Sequence, residues 1–245
     1  ANAMQAFTAG FQELESATLT DEEQASLDDY FTTQFGAQLS ASGAAGDGEP
    51  IDASTFIPTG DAQSYLTLHY TVPFDNFTDA IAVDDAGDGS TWSAAHAQYH
   101  DFFRRMTQLF KYEDVLLVDA NGNIVYSAFK GVDLGSNLDS GPLQRTNLAK
   151  AYTEAMNGNI ADTVVLTDFG SYPPSLGVPA AWAVVPVAVN GAIIGTLAIE
   201  MPIDEINAVM TGGGDWAGSG LGRTGETYIV GADDKLMRSL SRDLI

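Results

Sequence analysis

His96 and His100 stand four residues apart in a helix-forming stretch, the spacing that sets two imidazoles on one helix face as a pair of zinc ligands. Asp101 is adjacent in sequence but points elsewhere, and His69 has no evident partner. With no third ligand, no metal site is expected. The cluster Asp84–Ser90 offers carboxylates for calcium, but an EF-hand loop needs a bidentate acid at its twelfth position, and counting from Asp84 that position is Ala95. A loop that caps the next helix is the better account, and a calcium site of another kind stays open. Gly220-Leu221-Gly222-Arg223-Thr224-Gly225 has the glycine spacing of a dinucleotide-binding turn. A strand-like run follows it at Thr227–Val230, where a helix N-terminus would have to hold the pyrophosphate. No Ser/His/Asp order, phosphate-binding loop or His-Glu-x-x-His motif is present, which argues against hydrolase chemistry. No cofactor is expected.

The residues that best suit a binding site are aromatic and polar. Asp168-Phe169-Gly170-Ser171-Tyr172-Pro173-Pro174-Ser175 is a loop rich in rings and hydroxyls. Together with Tyr126, Phe129, Lys130, Asp133 and Trp182, its Asp168, Tyr172 and Ser175 are expected to converge on one concave face. Tyr99, Phe103 and Arg104 are expected to join them from the preceding helix. Basic residues are scarce, so Arg104, Arg105 and Lys130 stand out as anchors for an anionic ligand. The competing account makes Trp182 and Phe129 plain core and pairs the basic residues with surface acids.

Ten Lys and Arg against 33 Asp and Glu give the 245-residue chain a net charge of −23. That surface repels phosphate backbones and anionic lipid, so no nucleic-acid partner is expected. The absence of cysteine removes disulfides and thiolate chemistry. No run of about 18 apolar residues is present, so any membrane-spanning helices are expected outside this chain.

These residues need a frame. VLLVDANGNIVYSAF reads as strand, polar turn, strand, and AAWAVVPVAVNGAIIGTLAIEM does so around Asn190-Gly191. Helices are expected over 91–111, 143–157 and 203–210, and a strand over 163–167. Met4, Phe7, Phe11 and Leu14, then Leu27, Tyr30, Phe31, Phe35 and Leu39, make residues 3–40 a helical segment with a capping box at Thr20 and Glu23. That stripe packs on its own domain, pairs with a second chain, or does both. The pattern predicts an α+β fold: a long N-terminal helix, an antiparallel sheet module flanked by helices, and the start of a second similar module near Tyr228–Val230 and Leu236–Leu240.

The segments YEDVLLVDANGNIVYSAFKGVDLGSNL, YPPSLGVPAAWAVVPVAVNGAIIGTLAIEM and Gly225–Val230 resemble the extracytoplasmic double-Cache sensor domains of bacterial transmembrane receptors, whose modules are PAS-like. The resemblance implies a helical stalk and loop over 1–59, a membrane-distal module over 60–212 and an incomplete membrane-proximal module over 213–245. It implies a periplasmic or extracellular sensor, not an enzyme, that binds a small molecule and signals to a histidine kinase, chemotaxis or cyclase output. A homodimer through the N-terminal helix is expected. Amino-acid-binding members carry an Arg-x-Trp-Tyr cluster before the third strand and an Asp in the loop after a Tyr. Residues 139–165 contain no such cluster, and Tyr172 is followed by Pro173-Pro174-Ser175. The expected ligand is therefore a small carboxylate or other polar metabolite held by Lys130 or an arginine. The alternative is a structural or dimerisation spacer without a ligand.

Overall fold

The computed structural model describes residues 1–42, 45, 46, 49–160, 162–216, 218–222, 225 and 227, with backbone alone at 45, 46, 49, 50, 203 and 204. Two compact units are present, Ala1–Glu200 and Met201–Ile245.

In the first unit, β1 (Asp114–Asp119) and β2 (Ile124–Ser127) form the first predicted hairpin, with Leu117 opposite Tyr126. After the short β3 (Val165–Leu166), the second hairpin joins β4 (Trp182–Val189) to β5 (Ala192–Glu200). Its turn residues Asn190 and Gly191 have φ of 50° and 84°, the left-handed pair that a tight type I′ turn demands. The sheet runs β2-β1-β5-β4-β3, all antiparallel. With helices on both faces, this is the expected α+β, PAS-like layout.

Strand alternation sorts the core into two layers. Leu116, Val118, Trp182, Val184 and Ala198 pack on one side, beneath α2 (Asp21–Asp29), a π-helical turn (Tyr30–Phe35), α3 (Gly36–Ser42) and α7 (Asn147–Met156). Val115, Leu117, Val125 and Tyr126 pack on the other, beneath α1 (Asn2–Leu14), α4 (Asp61–Tyr70) and α6 (Thr91–Phe110). The short α5 (Phe77–Ala82) lies between α4 and α6 in sequence. Helices α1 and α6 touch closely because residue 10 is glycine: a Cβ there would stand 2.6 Å from the Trp92 Cα.

The N-terminal segment is therefore not one long rod. Residues 15–19 interrupt it, and Thr20 restarts it with the capping box: its Oγ1 accepts from the Glu23 amide at 3.3 Å, and the Glu23 carboxylate accepts from the Thr20 amide at 2.8 Å. The two halves cover opposite faces of the sheet. Leu27, Phe31, Phe35 and Leu39 are at most 2% exposed. That stripe is thus packed inside the chain's own core. Residues 1–59 belong to the first unit.

In the second unit, α8 (Ile203–Thr211) ends at Gly212, whose left-handed φ of 61° closes the helix. The Thr227 hydroxyl donates to the Met210 carbonyl. The predicted start of the second module, Tyr228–Val230 with Leu236–Leu240, lies outside the described residues.

Candidate functional site

Asp114 opens β1, Glu200 closes β5, and the two are direct cross-strand partners. Alternation places both on the face that carries Leu116 and Ala198. Two carboxyl side chains held opposite each other oppose pairing when both are ionised. Asp133, in the loop after β2, adds a third. The three line a cavity of about 240 Å³, together with Phe77, Phe129, Gly131, Tyr172 and Ser175. No Lys, Arg or His is among the described residues that line it.

Each acid is buried and each has a donor. Asp114 Oδ1 accepts from the amides of Val115 (2.6 Å), Ala128 (3.0 Å) and Phe129 (3.2 Å), and Oδ2 from the Ser127 hydroxyl (2.7 Å). The Tyr172 hydroxyl donates to Asp133 Oδ2 at 2.7 Å, and the Ser175 hydroxyl to Glu200 Oε1 at 3.0 Å. Burial, and then the charge of Asp133, push Asp114 up to about 7. Burial raises Asp133, and burial followed by the charge of Asp114 lifts Glu200 well above the carboxylate range. Donors favour the ionised form. With four of them Asp114 is the best placed of the three to hold a charge. Residue 131 must be small here, because a Cβ would meet Asp133 Oδ1 at 2.8 Å.

A second cavity, of about 200 Å³, shares Phe77, Phe129, Gly131 and Pro174 with the first. Its far walls are Tyr30, Gln34 and Phe35 of the π-helical turn, Gln38 of α3, and Thr71, Phe74 and Asn76 from the chain between α4 and α5. Lys130 also borders it, but the ammonium is turned into the protein. Lys130 Nζ donates to the Ala80 carbonyl at 2.7 Å and lies 3.3 Å from His100 Nε2. Burial pulls this lysine down to about 7. The Lys130 backbone is left-handed, with φ of 58°, and the Thr71 hydroxyl donates to its carbonyl at 2.9 Å.

The sequence-derived candidates therefore divide. Phe129, Asp133, Tyr172 and Ser175 meet in the acidic cavity. Lys130 lies behind the second one. Trp182 is fully buried beneath Tyr172, ring centroids 5.1 Å apart, and lines neither cavity. Asp168 is exposed on its loop and lines neither. Tyr99, Phe103 and Tyr126 belong to the opposite layer of the core. Arg104 is held by Asp84 at 2.6 Å and Asp101 at 2.8 Å, and Arg105 by Asp101 at 3.0 Å. Convergence of all eleven on one face is corrected: the sheet separates them, and the arginines are spent on neighbouring acids.

His96 and His100 do share a helix face and stack at 4.1 Å. Three of their four nitrogens serve other groups, and His96 Nε2 is buried without a hydrogen-bond partner. His96 Nδ1 donates to the Asp84 carbonyl at 2.7 Å, and His100 Nε2 donates to the Ile81 carbonyl at 2.7 Å while Nδ1 accepts from the Tyr126 hydroxyl at 2.8 Å. Burial holds His100 neutral, down to about 4. Asp114, Ser127 and Glu200 do not stand out in the sequence. The signal for the two acids is their place at the outer end of each apolar hairpin, in YEDVLLV and LAIEM.

No family model matches the chain, and no curated protein matches it. Among solved structures it is similar to the sensor domain of the V. cholerae histidine kinase DctB, with 16% identity and a TM-score of 0.36 over 76% of this chain and 59% of that one. It is also similar to the ligand-binding domain of the Campylobacter jejuni chemoreceptor Tlp3 in complex with 4-methylisoleucine, with 12% identity and a TM-score of 0.33 over 84% of this chain and 64% of that one. The Tlp3 sensory domain with isoleucine bound gives 13% identity and a TM-score of 0.31, over 84% and 65%. The chain thus spans less than two thirds of the length of these structures. The likeness is loose, and the chemistry of a ligand has to be read from the chain's own cavities.

Proposed function

We propose that this chain is the ligand-binding input of an extracytoplasmic receptor, and that its ligand is a small molecule bearing a positively charged nitrogen. The observation that carries this reading is the cavity at the end of the sheet, where Asp114, Asp133 and Glu200 converge with aromatic walls and no lining cation. Buried like charges are costly in an empty site and become favourable once a cation enters. The rings of Phe77, Phe129 and Tyr172 add attraction for an ammonium. A carboxylate ligand would face four acids of its own sign, Glu113 included, while Lys130 and Arg104 are committed to other partners.

No helix among the described residues is long and apolar enough to cross a membrane, and an external module joined to spanning helices outside this chain accords with the resemblance. Signalling to a kinase, chemotaxis or cyclase output would proceed by population shift: the ligand favours whichever helix arrangement binds it better.

The test is a thermal-shift comparison of ethylamine, acetate and acetamide at pH 8. A ligand at a hundredfold excess over its Kd stabilises by about 2.7 kcal/mol. Ethylamine should raise Tm, acetate should not, and Glu200→Gln and Asp133→Asn should weaken the response. Stabilisation by acetate alone would reverse the sign of the site and end this reading.

A further inference from the structure

The acidic cavity is small. Binding sites for drug-sized ligands span roughly 300–1,000 Å³. Neither cavity reaches that range alone, at about 240 Å³ and about 200 Å³, but the two together do. They lie side by side and share Phe77, Phe129, Gly131 and Pro174, and of these Phe77 and Phe129 meet edge to face with centroids 6.0 Å apart. Phe77 is 49% exposed, and it sits at the first position of the six-residue helix α5. Exposed rotamers interconvert in picoseconds to nanoseconds, so the Phe77 ring can swing away from the half-buried Phe129 and open the partition they form.

The second cavity differs in chemistry from the first. Phe35, Phe74, Val132 and Leu176 give it apolar walls, while Gln34, Gln38 and Asp75 are exposed at its mouth. Tyr30, Gln34 and Gln38 recur every fourth residue along one wall, across the π-helical turn. Such turns are rare and occur often at functional sites, because the extra residue re-aims the side chains around it.

We infer that the two cavities are one bipartite site, taking a primary amine with an apolar tail: the ammonium lodges among Asp114, Asp133 and Glu200, and the tail passes Phe77 and Phe129 into the compartment walled by the π-helical turn. This inference rests on the cationic ligand proposed above and adds the tail and its place. Because the tail touches the turn between α2 and α3, the N-terminal helical segment becomes the element that registers the size of the ligand.

The test is a calorimetric series of n-alkylamines from ethylamine to hexylamine, with hexanol as the headless control, on the wild-type chain. Burying the tail should tighten binding by roughly fourfold per methylene, about 250-fold from ethyl to hexyl. In Gln34→Trp, which fills the mouth of the second compartment from an exposed position, the ratio of hexylamine to ethylamine affinity should collapse towards one. Phe129→Ala, which removes the partition, should instead admit 2-phenylethylamine more tightly. Equal binding of all alkylamines, or an unchanged length profile in Gln34→Trp, overturns the bipartite site and leaves the acidic cavity standing. Binding of no amine at all overturns the cationic reading and this inference with it. Should Gln34→Trp fail to fold, the wild-type length series and Phe129→Ala still decide the matter.

Discussion

The Tyr172 hydroxyl reaches across 39 residues of sequence to donate a 2.7 Å hydrogen bond to Asp133 Oδ2, and both side chains are buried. This bond ties the loop after β3 to the loop after β2 and closes one wall of the acidic cavity. Tyr172→Phe keeps the ring against Trp182 but strips the donor from a buried carboxyl, a loss of about 1–3 kcal/mol. A donor favours the ionised form, so the loss should be larger at pH 8 than at pH 5. Urea denaturation at the two pH values checks this, and an equal loss at both would show that the bond does not serve the charge of Asp133.

The acid trio has a sign of its own in stability. A carboxyl whose folded pKa is raised contributes stability that is fully present below its unfolded value and is lost as pH rises through the folded one. For Asp114 that window runs from 3.8 to about 7, and Glu200 is shifted the same way from 4.5. Glu200→Gln removes one member of the trio without adding charge. Relative to wild type, the ligand-free variant should gain about 1–2 kcal/mol between pH 5 and pH 8. Denaturation midpoints at those two pH values are the measurement; a difference that stays constant would mean Glu200 is ionised throughout.

The hairpins were legible because their signals are local. Alternation and Asn190-Gly191 set strand, turn and register within twenty residues. The site was only half legible. Tyr172 and Ser175 stand out in a ring-rich loop, and Asp133 follows the first hairpin closely. Asp114 and Glu200 face each other only because β1 pairs with β5 across more than eighty residues, and no local pattern encodes that pairing. The arginines misled for a related reason: scarcity marks a residue, but Asp84 and Asp101 are brought to Arg104 by the path of the loop before α6 and by one turn of α6 itself.

Lys130 carries a third prediction, with the opposite pH sense. A lysine with a depressed folded pKa contributes stability present above its unfolded value, 10.5, and lost as pH falls through the folded value, about 7. Lys130→Met keeps the length and removes the charge, but takes the shorter of two donors from the Ala80 carbonyl, which keeps the Val83 amide at 3.3 Å, at a cost of about 1 kcal/mol. The variant should therefore be less stable than wild type at pH 10, with the gap narrowing or reversing by pH 7 and flat below that. Thermal melts at pH 6, 7 and 10 check the trend. A gap independent of pH would place the Lys130 ammonium in contact with water.

Phe31 separates the two roles weighed for the N-terminal stripe. It is fully buried, meets Phe35 edge to face with centroids 5.8 Å apart, and packs in the same core as Leu116 and Trp182. Removing a buried phenylalanine side chain typically costs about 3–5 kcal/mol, through lost transfer energy and the cavity left behind. Phe31→Ala should therefore lower the unfolding free energy by about that amount at every protein concentration. An interface residue would behave differently: the loss would grow on dilution, because it would act through the association equilibrium. Urea curves at two concentrations a hundredfold apart decide between them. A concentration-dependent loss would return this stripe to the dimer, while a constant one fixes it as the floor on which the second cavity is built.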